Sequence, residues 1–258
     1  MNETTSTPRP RGIYILPNLF TIGSLFAGFY AIIAAYKGFY ESAAIAIFIA
    51  MIMDSLDGRV ARLTNTMTAF GAEFDSLSDM VSFAIAPAFL AYSWGLSQLG
   101  KFGWIIAFIY LATVALRLAR FNTQLGTADK RYFQGIPCPA AAAVVTSLIW
   151  MCVNLGINGT FIDLILALIT VAVGVLMVSN VRFRSFKDSD LKNNVRFTTI
   201  LILVLVVVLI AFYPSIALFI VFTAYAISGP AATILGLHKK KRLRKEFSKN
   251  RQKNKDNS

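Results

Sequence analysis

Four aspartates set among apolar residues limit what this chain can fold into. The stretch from Asp54 to Asp79 reads DSLDGRVARLTNTMTAFGAEFDSLSD, with Asp54 and Asp57 as one pair and Asp75 and Asp79 as a second. Residues 43–53 before it and 80–92 after it are almost entirely apolar. An ionised carboxylate at membrane depth costs about 2.5–3.5 kcal/mol even on the gentlest scale. Four of them within 26 residues therefore require something cationic, and a pair of divalent metal ions meets the requirement.

Composition places those runs in a bilayer. Hydrophobic residues make up 56% of the 258 and charged residues 15%, with a mean hydropathy of +0.62. A soluble domain is nearer half apolar and a quarter charged. One integral membrane domain is expected. The first apolar run, near 13–36, has no small-residue cleavage site after it and reads as a retained span. Cys138 and Cys152 lack CxxC spacing, which argues against a disulfide framework or a zinc site and for buried, reduced thiols.

Apolar windows predict an all-α, polytopic bundle of eight transmembrane helices near 14–36, 41–63, 72–95, 102–122, 138–155, 160–180, 196–212 and 214–237. The last two are joined only by Tyr213 and Pro214, as a hairpin. With the N-terminus inside, all 25 lysines and arginines except Lys37 and Lys101 fall on cytoplasmic segments or the helix ends flanking them. That asymmetry predicts both termini in the cytoplasm. The expected organisation is a cytoplasmic tail (1–12), a six-helix core (13–192), a C-terminal transmembrane hairpin (193–237) and a basic cytoplasmic tail (238–258). The basic tail suits anionic lipid headgroups. No aromatic residues interleave its cations, which argues against nucleic acid.

Residues three or four apart share a helix face, so each aspartate pair lies on one face of its span. The second span descends to the cytoplasmic side and the third climbs back. At a rise of about 1.5 Å per residue, all four carboxylates lie about 6–13 Å from the intervening turn. Glu73 lies about 160° around the helix from Asp75 and is not expected to join them. Oxygen donors at this spacing suit Mg²⁺, Mn²⁺ or Ca²⁺ better than zinc. Two such ions would neutralise most of the charge and hold a pyrophosphate. The competing reading is an ion-pair network with Arg59 and Arg62, but two arginines cannot balance four aspartates plus Glu73. Gly58 and Gly71 either pack helices or let a nucleotide approach the backbone. Arg62, one turn beyond Gly58, either meets a phosphate or anchors the helix at the interface.

Asp54, Asp57, Gly58, Ala61, Arg62, Gly71, Asp75 and Asp79 fit the pattern DxxDGxxARx8GxxxDxxxD in every fixed residue and every gap. The chain thereby resembles the CDP-alcohol phosphatidyltransferases over its first six predicted spans. Within that family it looks most like the membrane-embedded phosphatidylserine synthases. LPNLFT (Leu16–Thr21), SDMVSFAIAPA (Ser78–Ala88), RLARFN (Arg117–Asn122) and FQGIPCPAAA (Phe133–Ala142) carry this likeness. One departure is Ala84, where the usual segment has glycine.

The resemblance implies transfer of a phosphatidyl group from CDP-diacylglycerol to L-serine, releasing CMP, at a cell-membrane site facing the cytoplasm. It assigns two divalent cations, Mg²⁺ or Mn²⁺ with Ca²⁺ as a possible occupant, to Asp54, Asp57, Asp75 and Asp79. Asp79 is also the implied general base. The nucleotide and lipid diphosphate fall to Asp54, Gly58, Ala61, Arg62 and Gly71, with Asn18 and Thr21 either joining them or serving as polar glue between helices. Arg117, Arg120 and Asn122 are candidates for the serine carboxylate or a lipid phosphate, against interfacial snorkelling of the two arginines. Pro137 and Pro139 shape a pocket wall. A homodimer is implied as well. The alternatives are a sister enzyme using glycerol 3-phosphate or an inositol phosphate, and a divalent-cation transporter. The clustering of the acids on the cytoplasmic side, with apolar outer halves, disfavours the transporter.

Overall fold

The structure is a computed structural model, and it describes residues 15–123, 132–184, 201, 204 and 212–233. Helices α1 (Ile15–Tyr36) and α2 (Tyr40–Thr64) form an antiparallel hairpin. Ala27, Ala31, Ala34 and Ala35 of α1 and Ala43, Ala44, Ala46 and Ala50 of α2 are buried, while Phe26, Phe29, Tyr30 and Ile33 point outward. Small residues inside and large ones outside suit a bilayer, where close backbone approach, not hydrophobic expulsion, drives helix pairing. On α2 the packed positions 43, 46 and 50 recur at helical spacing and lead on to Asp54 and Asp57, so the same face carries the acids.

Helix α2 ends on Asn65, left-handed at φ +51°, whose N–H reaches the carbonyls of Ala61 and Arg62. The Thr66 N–H also bonds the Ala61 carbonyl at 3.0 Å. These bonds satisfy the last carbonyls of the helix. Thr68 then caps α3 (Ala69–Asp79) by accepting from the Gly71 N–H at 3.0 Å. Helix α1 packs against both α2 and α3, whereas α2 and α3 diverge from their turn and leave a cleft between them.

The third span is not the uninterrupted α-helix expected over 72–95. Directly after Asp79 the chain widens into a π-helical turn, Met80–Ile85, before α4 (Ala86–Trp94). Pro87 has no N–H to give the Phe83 carbonyl four residues back. Instead the hydroxyl of fully buried Tyr110 donates to that carbonyl at 3.0 Å. The π turn also presses on α1. A Cβ at Gly28 would stand 2.8 Å from Ser82 Cα, so only glycine fits there. Alongside, Ser78 donates to the Thr21 carbonyl at 3.2 Å and Ser82 to the Ser24 carbonyl at 3.0 Å.

Helices α5 (Lys101–Thr123), α6 (Cys138–Leu155), α7 (Thr160–Val178) and α8 (Pro214–Thr233) complete the described bundle. Helix α6 is its axis, buried almost continuously from Cys138 to Trp150. The all-α expectation missed a short antiparallel ribbon, β1 (Tyr132–Gln134) with β2 (Arg182–Arg184), which ties the segment before α6 to the end of α7. Its pivot is Gly135, at φ +76° and against the Met177 carbonyl, where a side chain has no room.

The chain is a polytopic helical membrane protein. Six described helices are long and apolar enough to span: α1, the α3–α4 unit, α5, α6, α7 and α8. Helix α2, equally long, falls short on hydropathy because it carries Asp54, Asp57, Arg59 and Arg62. The span expected near 196–212 lies outside the described residues except for Leu201, Val204 and Phe212. Tyr110→Phe keeps the ring but orphans the Phe83 carbonyl. The expected cost is about 1–3 kcal/mol, read as a lower melting temperature in detergent against wild type.

Candidate metal centre

Across the cleft between α2 and α3, one carboxylate oxygen each from Asp54, Asp57 and Asp75 lies within 4.8 Å of the others. Asp54 is also in hydrogen-bonding contact with Asp75 and Asp79. Asp79 stands outside the tight trio and joins it through Asp54. Both Asp75 Oδ1 and Asp79 Oδ1 are buried without a hydrogen-bond partner. Among the described residues the charges acting on these carboxylates are each other, and no arginine or lysine is among them. The ion-pair reading is therefore unsupported by the described residues.

A divalent cation fits this donor set. All donors are carboxylate oxygens, the choice of hard ions. Two oxygens on one Mg²⁺ stand at most about 4.2 Å apart, and on Ca²⁺ about 5 Å. The trio thus needs little or no closure to share an ion. The orphaned oxygens of Asp75 and Asp79 supply the second observation, since a buried lone pair without a partner is costly. Glu73 is exposed and outside the group, as its helical phase predicts.

Thr21 does not line the cleft. It is 3% exposed, and its hydroxyl donates to Asp57 Oδ2 at 2.8 Å, with the Pro17 carbonyl at 3.2 Å. Its place is behind Asp57, holding the carboxylate's orientation. Asn18, one turn earlier, brings Oδ1 to 3.6 Å from where a Gly71 Cβ would be, so it reaches the start of α3. A side chain at Gly71 would crowd Thr68 Oγ1 at 3.1 Å. Gly58 is different. Only Arg62 Nη2, at 3.9 Å, lies near its absent Cβ, leaving open space beside the exposed Arg62. Ala61 is half-buried, and its carbonyl serves the Asn65 turn.

The three polar residues at the end of α5 part company. Arg120 donates to Asn180 Oδ1 at 3.0 Å and the Val178 carbonyl at 3.5 Å, bracing the end of α7. Asn122 bonds Ser76 at 3.1 Å, steadying α3 beside Asp75. Arg117 alone turns into the bundle, toward Cys138. Sequence reasoning missed Ser76, Ser78, Ser82 and Tyr110, which hold α3 and the π turn. The small residues at positions 78 and 82, one helical turn apart, were the available signal.

The family profile of CDP-alcohol phosphatidyltransferases matches residues 14–178, which include every residue of the cluster. The chain belongs to the CDP-alcohol phosphatidyltransferase family. It is similar to a Helicobacter pylori protein named CDP-diacylglycerol–serine O-phosphatidyltransferase, with 42% identity over 180 residues, 68% of this chain and 74% of that protein. A Mycobacterium tuberculosis protein of the same name is 30% identical over 237 residues, covering 87% and 82%. Another from Bacillus subtilis is 34% identical over 178 residues, covering 69% and 94%. Within this CDP-alcohol phosphatidyltransferase, Thr21→Val preserves shape and burial while removing the donor to Asp57. Turnover is expected to fall roughly 10-fold, from loss of one charge-assisted bond of about 1.5 kcal/mol, with the folded fraction unchanged by size-exclusion chromatography.

Proposed function

We propose that the chain transfers the phosphatidyl group of CDP-diacylglycerol to the hydroxyl of L-serine, giving phosphatidylserine and CMP. The observation that carries the reading is the convergence of Asp54, Asp57 and Asp75 with Asp79 set just beyond them. The serine assignment draws on the names of the relatives.

In this reading Asp54, Asp57 and Asp75 hold two divalent cations, Mg²⁺ or Mn²⁺, with Asp79 reaching them through one oxygen. When bound, the cations would neutralise the lipid-linked diphosphate and the departing CMP. Thr21 keeps Asp57 aimed into the cleft. The open space at Gly58, with Arg62 beside it, admits the nucleotide at the cytoplasmic mouth. Asp79, outside the tight trio and ionised beside the cations, takes the proton from the serine hydroxyl as its oxygen attacks the phosphorus bearing diacylglycerol. The bond from that phosphorus to the CMP oxygen breaks as the new phosphoester forms. Between α1 and α2 an apolar groove of about 500 Å³, lined by Gly23, Phe26, Tyr30, Ile45, Ile49 and Met53, begins one residue from Asp54 and gives an acyl chain a path along the bilayer. The proposal includes cytoplasmic termini, a second spanning helix before α8, a homodimer, and adhesion of the basic tail to anionic lipid.

Purified protein given CDP-diacylglycerol with L-serine, glycerol 3-phosphate or an inositol phosphate in turn is expected to form phosphatidylserine. Formation of only another lipid would overturn the serine assignment. Chelation of divalent ions is expected to abolish CMP release, with recovery on adding Mg²⁺ or Mn²⁺. Asp79→Asn should lower turnover about 10²–10⁴-fold while CDP-diacylglycerol still binds. Turnover near wild type would remove Asp79 as the base.

A further inference from the structure

Arg117 is the one cation of α5 that faces the bundle interior, and its needs are poorly met there. Its Nη1 donates to Cys138 Sγ at 3.2 Å, while its Nε is buried without a partner. A thiol sulfur is a weak acceptor and offers a guanidinium little compensation. No carboxylate pairs with Arg117 among the described residues. A buried, unpaired charge of this kind is costly, and a ligand anion is the ordinary remedy.

The surroundings indicate which anion. Cys138 opens α6, is fully buried, and feels the charges of Arg117 on one side and Asp79 on the other. The guanidinium and the orphaned Asp79 Oδ1 thus flank the same thiol, one cationic and one anionic. Tyr225 of α8 lies within electrostatic reach of Arg117, so α8 supplies a wall of this chamber. That helix lies beyond residues 14–178. A molecule suited to both ends is small, offers a hydroxyl to Asp79, and carries an anionic group on the neighbouring carbon for Arg117. A β-hydroxy amino acid answers this description. The lipid diphosphate does not, because the aspartate trio and the open space beside Arg62 lie on the other side of Asp79.

We infer that Arg117, steadied by Cys138 and enclosed by Tyr225, binds the carboxylate of the acceptor opposite Asp79 and so selects an amino acid over a simple amino alcohol. This rests on the acceptor reading proposed above. Arg120 and Asn122 are excluded from the role, because they brace α7 and α3.

The test uses full-length protein in lipid-containing detergent micelles, following CMP release with L-serine or ethanolamine as acceptor and L-alanine as competitor. In wild type, L-alanine, which keeps the carboxylate and lacks the hydroxyl, is expected to compete with serine better than ethanolamine does. Arg117→Gln should raise the KM for L-serine roughly 100-fold, weaken L-alanine inhibition in parallel, and leave the KM for CDP-diacylglycerol within about twofold of wild type. Arg117→Lys should recover part of the loss, and it stands in if the glutamine variant fails to fold. A raised KM for CDP-diacylglycerol with unchanged serine KM would make Arg117 a lipid-phosphate ligand and overturn the inference. Equal losses for serine and ethanolamine would reduce it to a structural role. Serine turnover untouched by either variant removes this inference alone. Wild type inert toward serine but active with glycerol 3-phosphate removes the proposed function and the inference together.

Discussion

Mutual repulsion among carboxylates that have left water is the interaction on which this fold depends. Asp54, Asp57, Asp75 and Asp79 approach one another with two oxygens unpartnered and no described cation beside them. Two like charges at such range repel by several kcal/mol at an effective dielectric constant of about 20. The rest of the bundle must hold them against that force when no ion is bound. It does so with short-range devices. These are the alanine seam of α1 and α2, the Asn65 and Thr68 caps that set the turn, and hydroxyls crossing from α3 and the π turn to α1.

Helix α1 is the common support. Its Thr21 reaches Asp57 on α2, its Thr21 and Ser24 carbonyls accept from Ser78 and Ser82, and its Gly28 admits the π turn. The two acidic helices diverge from each other, so their relative position is transmitted through α1. An open cleft is thereby compatible with a rigid frame. The walls of the site are fixed while the space between them stays free for a bulky nucleotide and its lipid.

Much of this was legible in the sequence, for identifiable reasons. Spans announce themselves by length and hydropathy, and the observed ends of α1, α2, α5, α6 and α7 fall within about two residues of the predicted ones. The acidic trio was legible because helical periodicity fixes which side chains share a face. The π turn was not, since it arises from a tertiary bond, Tyr110 to Phe83, across 27 residues. The β1–β2 ribbon is too short to leave a pattern. The separate duties of Arg117, Arg120 and Asn122 were also hidden. All three lie on one helix end, and only packing reveals that Arg120 meets Asn180 while Asn122 meets Ser76.

The polarity of α2 bears on how the molecule is assembled. A segment holding Asp54, Asp57, Arg59 and Arg62 near one end partitions poorly into hydrocarbon by itself, each such residue adding up to about 2.5–3.5 kcal/mol toward the helix centre. Its alanine seam, by contrast, matches α1 closely. Biogenesis therefore favours entry of the two as a preformed helical pair, α1 chaperoning its neighbour through the insertion machinery, so that the reactive acids reach the bilayer already shielded.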